Sequence, residues 1–200
     1  MPRLTMKKLN CAVIGSTRGS TLIPVLEAAS EGKVNAELAL VVSNRRESGI
    51  LQKARDAGIR DVWCPLNGRD RKSYDRELTN ILRDHEIDFI LLMGYMRILS
   101  AEFVNDWNGR IFNVHPSLLP KHGGLMDLDV HRAAISSGDK ESGCTIHIVT
   151  EEVDGGPIVV QKKTPIFKED TPESLKERVQ KLEAEAFLEI LQNPKAHIIT

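Results

Sequence analysis

Cysteine is scarce in this chain, neither sign of charge is in excess, and no long apolar run occurs. The three cysteines, Cys11, Cys64 and Cys144, are odd in number and far apart, and each sits inside an apolar run. That pattern argues against a disulfide framework or a CxxC metal site and predicts buried free thiols. Lys and Arg number 27 against 28 Asp and Glu, a formal net charge of -1, so no overall basic field is present to hold a nucleic acid. The longest apolar stretches, such as 89–93 and 12–14, fall far short of the roughly 20 residues that a membrane-spanning helix requires, which predicts a chain without membrane contact. Residues 1–8 are basic like the start of a secretory signal, but they lead into a short Val13-Ile14 run and then Gly15-Ser16, so the expected location is cytoplasmic. No repeat, low-complexity tract or Pro/Ser-rich linker divides the chain. The expectation is one domain over 1–200, with a core over about 9–192 and flexible ends.

With 41% hydrophobic and 28% charged residues the composition is that of a globular protein; disorder, collagen and coiled coil are excluded. Short β-branched runs at 10–15, 37–43, 61–64, 88–93 and 110–115 predict strands, and amphipathic stretches at 20–31, 48–56, 71–85 and 101–107 predict helices between them. Gly58 and Gly109 close two of those helices. Such alternation builds an α/β fold, a mostly parallel sheet covered by helices on both faces. The last third changes character. Residues 144–150 alternate apolar and polar positions, as a half-buried antiparallel strand does, and a second strand at 158–164 follows a Val153-Asp154-Gly155-Gly156-Pro157 turn. Thr171 as N-cap, Pro172 at the first helical position and Glu173 in the first turn open a helix to about Gln192, and the tail beyond Pro194 is expected to fray.

Three segments carry candidate chemistry. The first strand runs into Gly15-Ser16-Thr17-Arg18-Gly19-Ser20-Thr21 and then a helix, which places backbone N–H groups and hydroxyls where a helix dipole favours an anion such as phosphate. It is neither GxGxxG nor a Walker sequence, and a plain tight turn that needs glycine explains it equally well. Asn113 and His115 are two apart at the carboxyl end of a strand, so they project from one face at the edge where open α/β sheets bind ligands, and Pro116 turns the chain away. The bland alternative is a strand-end histidine satisfied by a backbone carbonyl. Asp154 sits in the late turn, where Gly155 and Gly156 allow close backbone approach, although Asp-Gly-Gly is also a common hairpin sequence. Together the set has a chemical logic. A carboxylate beside an imidazole favours imidazolium, and an amide N–H stabilises an oxyanion, which suits acyl transfer to an amine.

These residues resemble a known family. Gly19-Ser20 before a helix, Ser43-Asn44 after the second strand, Gly94-Tyr95-Met96-Arg97-Ile98-Leu99, Asn113-Val114-His115-Pro116-Ser117-Leu118-Leu119-Pro120 and Asp154-Gly155-Gly156-Pro157 occur in the order seen in the phosphoribosylglycinamide formyltransferase (GAR transformylase) family of folate-dependent formyltransferases. The resemblance implies a single Rossmann-like formyltransferase domain that moves a formyl group from 10-formyltetrahydrofolate to the amine of 5-phosphoribosylglycinamide in purine biosynthesis. It implies Asn113, His115 and Asp154 as the catalytic trio. Gly19, Ser20, Thr21 and Glu183 would hold the ribonucleotide and its phosphate. Arg71, Met96, Arg97, Ile98, Leu99, Asn113, Thr150, Glu151, Glu152, Val153 and Asp154 would line the folate site. Formyl-folate enters as a co-substrate and no metal is implied. The partners are then two small molecules, and the assembly a monomer or homodimer.

The sequence departs from the family in two places. Its phosphate loop is longer and has Thr21 where the family has asparagine, and the segment 121–131 is longer than the family's loop before the next helix. In that segment Asp127, Asp129 and His131 alternate, which invites a metal reading; without a further ligand cluster, an N-terminal cap for the helix at Val130 is the simpler one. The same Asn-His-Asp pattern resembles formyltetrahydrofolate hydrolases and methionyl-tRNA formyltransferases. Both families carry an additional domain, which this length does not accommodate. A non-catalytic nucleotide-binding module rests on the glycine loop alone and leaves Asn113, His115 and Asp154 unexplained.

Overall fold

A computed structural model of the chain describes residues 7–199, so most of the basic opening segment lies outside the described residues. Apolar runs rich in Val, Ile and Leu form β1 (Leu9–Ile14), β2 (Ala36–Ser43), β3 (Asp61–Trp63), β4 (Phe89–Leu92) and β5 (Ile111–His115), and these pair in parallel. Between them run α1 (Leu22–Ser30), α2 (Gly49–Asp56), α3 (Arg71–Asp84) and α4 (Ala101–Asp106). After α5 (Leu128–Ser136), β6 (Glu141–Ile148) and β7 (Ile158–Pro165) add antiparallel strands, and α6 (Pro172–Gln192) and α7 (Pro194–His197) follow. The seven strands form one sheet in the order β3-β2-β1-β4-β5-β6-β7.

Residues alternate sides along each strand, and the sheet uses both sides. Cys11 and Val13 of β1 enter the core shared with α1, α2, α5 and α6, whereas Ala12 and Ile14 enter the core shared with α3 and α4. The cysteines are buried and free, as their apolar settings predict. Capping follows the sequence closely: Asp70 accepts from the Ser73 N–H at 2.7 Å, Ser100 from Phe103 at 3.3 Å, and Thr171 forms a capping box with Ser174 ahead of Pro172.

Two local expectations are corrected. The strand expected at 144–150 is β6, which starts at Glu141 and is buried at every position after it, not half-buried. The α5/α6 layer covers one of its faces, and the 117–119 turn covers the other: Leu119 N–H donates to Thr145 Oγ1 at 3.0 Å, and that hydroxyl donates to the Ser117 carbonyl at 2.7 Å. Beyond α6, Pro194 opens α7, since proline suits a first helical turn, and Ile199 N–H bonds the Gly109 carbonyl at 3.1 Å. Finally, α5 begins at Leu128 with Asp127 as an N-cap whose side chain makes no capping bond; that carboxylate pairs with Lys176, and Asp129 pairs with Arg132.

The strand order decides where a ligand can sit. Chain connections leave β1 toward β2 on one side and return on the other through β4, so the carboxyl ends of β1 and β4 flank a crevice. The loops after β1, β4 and β5 all open onto it.

Candidate active site

A cleft of about 660 Å³ lies over those carboxyl ends. Its walls include Gly19, Ser20, Thr21 and Glu183 at one end, Asn113, His115 and Asp154, and the segments Met96, Arg97, Ile98, Leu99 and Thr150, Glu151, Glu152, Val153. Every residue singled out above as a site residue lines it except Arg71, which stands at the start of α3 and does not.

Asp154 organises the middle of the cleft. Its Oδ2 is 3.2 Å from His115 Nδ1 and accepts from the Gly124 N–H at 2.9 Å, while its Oδ1 is 3.5 Å from His147 Nε2. Burial opposes ionisation of this carboxyl, but the contacts with His115, His147 and Gly124 outweigh it and hold Asp154 well below the usual carboxylate range. The turn that presents it depends on close approach at one glycine: a Cβ on Gly156 would stand 1.8 Å from the Ile148 carbonyl oxygen. Asp154 itself adopts φ 54, a left-handed conformation that aspartate tolerates better than most residues.

His115 is buried at the end of β5, with Nδ1 toward Asp154 and Nε2 3.1 Å from the His122 carbonyl oxygen. Both neighbours are acceptors, so each ring nitrogen faces a group that a ring N–H satisfies. Asn113, on the same face of β5, places Nδ2 3.1 Å from His147 Nε2. Sequence reasoning missed His147. It lies directly across the β5/β6 ladder from Asn113, and its own Nδ1 is 3.1 Å from the Ile148 carbonyl. The alternation Thr145-Ile146-His147-Ile148 marks it as facing the same way as Thr145, but only the register brings it to Asn113.

At the loop end, Gly19 adopts φ 71, and a Cβ there would lie 2.9 Å from the Ile50 Cα, so the turn into α1 requires glycine. Ser20 is exposed beside it, whereas Arg18 is not among the lining residues and gives its carbonyl to Lys53 at 2.8 Å. Thr21 donates its hydroxyl to Glu183 Oε2 at 2.9 Å. Burial pushes the Glu183 carboxyl up to about 7, against the pull of Thr21, Lys176 and His115. His131 also lines the cleft, fully buried, and among the described residues its Nδ1 has no partner; burial and Lys176 push its pKa down to about 4. Its neighbours Asp127 and Asp129 are engaged elsewhere, and among the described residues no group of three or more ligating side chains comes together.

The rim of the cleft carries apolar side chains open to solvent: Met96, Ile98, Leu125, Met126 and Val153 are 38–56% exposed. A cluster of large apolar side chains open to solvent around a cleft fits a flat ring system better than a sugar or phosphate. Arg97 stands over the Tyr74 ring at 5.0 Å, which fixes the wall behind it.

The cleft therefore joins an anion-suited loop, a carboxylate set between two imidazoles with an amide alongside, and an apolar rim. Comparison with known proteins bears on its identity. Residues 9–191 match the family model described as formyl transferase. Over 173 residues the chain is 40% identical to the phosphoribosylglycinamide formyltransferase of Escherichia coli (strain K12), covering 86% of this chain and 80% of that one. Over 187 residues it is 42% identical to the trifunctional purine biosynthetic protein adenosine-3 of Drosophila melanogaster, covering 92% of this chain but only 14% of that much longer protein. The solved structure of glycinamide ribonucleotide transformylase 1 from Symbiobacterium toebii superposes with a TM-score of 0.90 at 32% identity, covering 96% of this chain and 90% of that one.

Proposed function

The chain belongs to the formyl transferase family, and from that premise we propose that it transfers the formyl group of 10-formyltetrahydrofolate to the amine of 5-phosphoribosylglycinamide, a step of purine biosynthesis. The observation that carries this reading is Asp154, half-buried between His115 and His147 with Asn113 adjacent, in a cleft that also holds a phosphate-suited loop and an apolar rim.

In this reading the ribonucleotide lies toward α1 and α6. Gly19 and Ser20 hold its phosphate at the helix N-terminus, and Glu183 meets the ribose. The folate ring enters the rim between Met96–Leu99 and 150–154, where backbone groups bond the ring and the apolar side chains sandwich it. That arrangement points the amine and the formyl carbon at each other beside Asn113 and His115.

Attack forms the new C–N bond and leaves a tetrahedral oxyanion. The Asn113 amide and a protonated His115 stabilise that charge. Asp154, ionised throughout the neutral range, holds the His115 ring by Nδ1 and so fixes its orientation toward the reacting atoms. One proton leaves the attacking nitrogen and one reaches the departing folate nitrogen; as the C–N bond to folate breaks, the carbonyl re-forms. Every step uses side chains and substrates.

The test is turnover of 10-formyltetrahydrofolate, followed by absorbance, with and without the ribonucleotide. Tetrahydrofolate formed only when the ribonucleotide is present supports the reading. Formation at the same rate in its absence identifies a hydrolase and overturns it.

A further inference from the structure

Among the described residues, the structure gives the hydroxyl of Thr21, in the loop before α1, one partner: Glu183 Oε2 at 2.9 Å, across 162 positions of sequence. Both side chains are buried, each 9% exposed by residue, and among the described residues Thr21 supplies the hydrogen bond that Glu183 accepts. Other polar groups around the carboxyl act only through space: Lys176 on α6 itself, His115 on β5, and Cys144 on β6. Lys176 is drawn away by its pairing with Asp127 ahead of α5.

A hydroxyl has one proton to give. Spent on Glu183, it leaves the Thr21 side chain with lone pairs alone toward anything at the helix N-terminus, and a phosphate dianion offers no proton to them. We propose that the Thr21 side chain is not a phosphate ligand but positions Glu183, and that it sets affinity for the ribose hydroxyls through that carboxylate. The phosphate is then held by backbone N–H groups of the loop and by Ser20. This inference rests on the ribonucleotide reading of the cleft.

The physical case is one of orientation. A buried carboxylate without a donor either takes up a proton or turns toward one. Glu183 lines the cleft, and the Thr21 hydroxyl fixes one oxygen, so the other is directed at the ligand. An α6 side chain thereby reaches the α1 loop with a defined acceptor.

Two probes separate the roles without any formyl chemistry. Binding of ribose 5-phosphate and of inorganic phosphate is followed by amide chemical-shift titration of the full chain, in wild type, Thr21→Val, Thr21→Ser, Glu183→Gln and the Thr21→Val/Glu183→Gln double variant. Thr21→Val is expected to weaken ribose 5-phosphate about tenfold, the scale of a lost hydrogen bond to a buried charged group, and to leave inorganic phosphate within about twofold. Thr21→Ser restores the affinity, and in the Glu183→Gln background Thr21→Val adds less than about twofold. Equal weakening of both probes makes Thr21 a phosphate ligand and overturns the proposal while the ribonucleotide reading stands. No weakening of either also overturns it. Failure of the wild type to bind ribose 5-phosphate removes the ribonucleotide reading itself. If Thr21→Val melts far below wild type, the Thr21→Ser and Glu183→Gln titrations decide: affinity retained in Glu183→Gln is the overturning result.

Discussion

Replacing Asp154 by asparagine removes one negative charge from the centre of the cleft and almost no volume. In the wild type the carboxylate oxygen lies 3.2 Å from His115 Nδ1 and also takes the Gly124 N–H at 2.9 Å. At an effective dielectric of about 20, a unit charge at that separation is worth about 5 kcal/mol to a fully charged ring. The ring and nearby solvent relax when the charge is gone, so about half of this, ~2.5 kcal/mol, is expected as loss of transition-state stabilisation. That is ~10²-fold in kcat. KM for the ribonucleotide should stay within about threefold, because the Ser20 and Glu183 end is untouched. Steady-state kinetics by absorbance measures both. The pH dependence of stability supplies a second readout. The folded-state pKa of Asp154 is depressed below its ordinary value of 3.8, so its contribution is present above that value and lost as pH falls below it. Between about pH 4 and 2 the melting temperature of wild type should fall more steeply than that of the asparagine variant. A variant with kcat within a few-fold of wild type refutes the role assigned to this carboxylate.

Other perturbations probe neighbouring parts of the account. Gly156→Ala puts a methyl 1.8 Å from the Ile148 carbonyl oxygen, so the turn must move; an unfolding free energy lower by about 2 kcal/mol or more, with kcat falling alongside, is expected from denaturant titration. His147→Ala removes a neighbour of both Asn113 and Asp154 and should lower kcat about tenfold, with unchanged kcat as the contrary result. Glu183→Gln tests burial directly. Its wild-type carboxyl titrates near 7, above the ordinary 4.5, so the folded state keeps a proton that the unfolded state gives up, and wild-type stability declines as pH rises from about 4.5 through 7. The glutamine variant lacks this decline, so at pH 8 it should melt higher than wild type relative to their difference at pH 5, while its ribonucleotide KM rises about tenfold.

How much of this was legible in the residues follows from the kind of interaction concerned. Local rules did well where the signal is local. The strand-loop-helix start, the Thr171-Pro172 helix opening and the order of βα units follow from hydrophobic period and capping chemistry, which act within a few residues. The apposition of Asn113 and His115 was equally legible, because a period of two is enough to place both on one face. What pairing decides was not. His147 meets Asn113 only through the β5/β6 register, and β6 is buried on both faces because the 117–119 turn folds back on it. The same holds for the acidic segment ahead of α5, which reads as a helix cap in sequence, whereas Asp127 is claimed by Lys176, 49 residues away. Thr21 reads as part of an anion loop until the fold sets Glu183 against it.

Transfer itself is the claim on which the rest depends. Incubating the protein with the ribonucleotide and 10-formyltetrahydrofolate labelled at the formyl carbon, then following the label by nuclear magnetic resonance, locates the carbon after turnover. The account predicts the label in the amide of formylated ribonucleotide, in step with tetrahydrofolate formed. Label recovered as free formate, with the ribonucleotide unchanged, would contradict it.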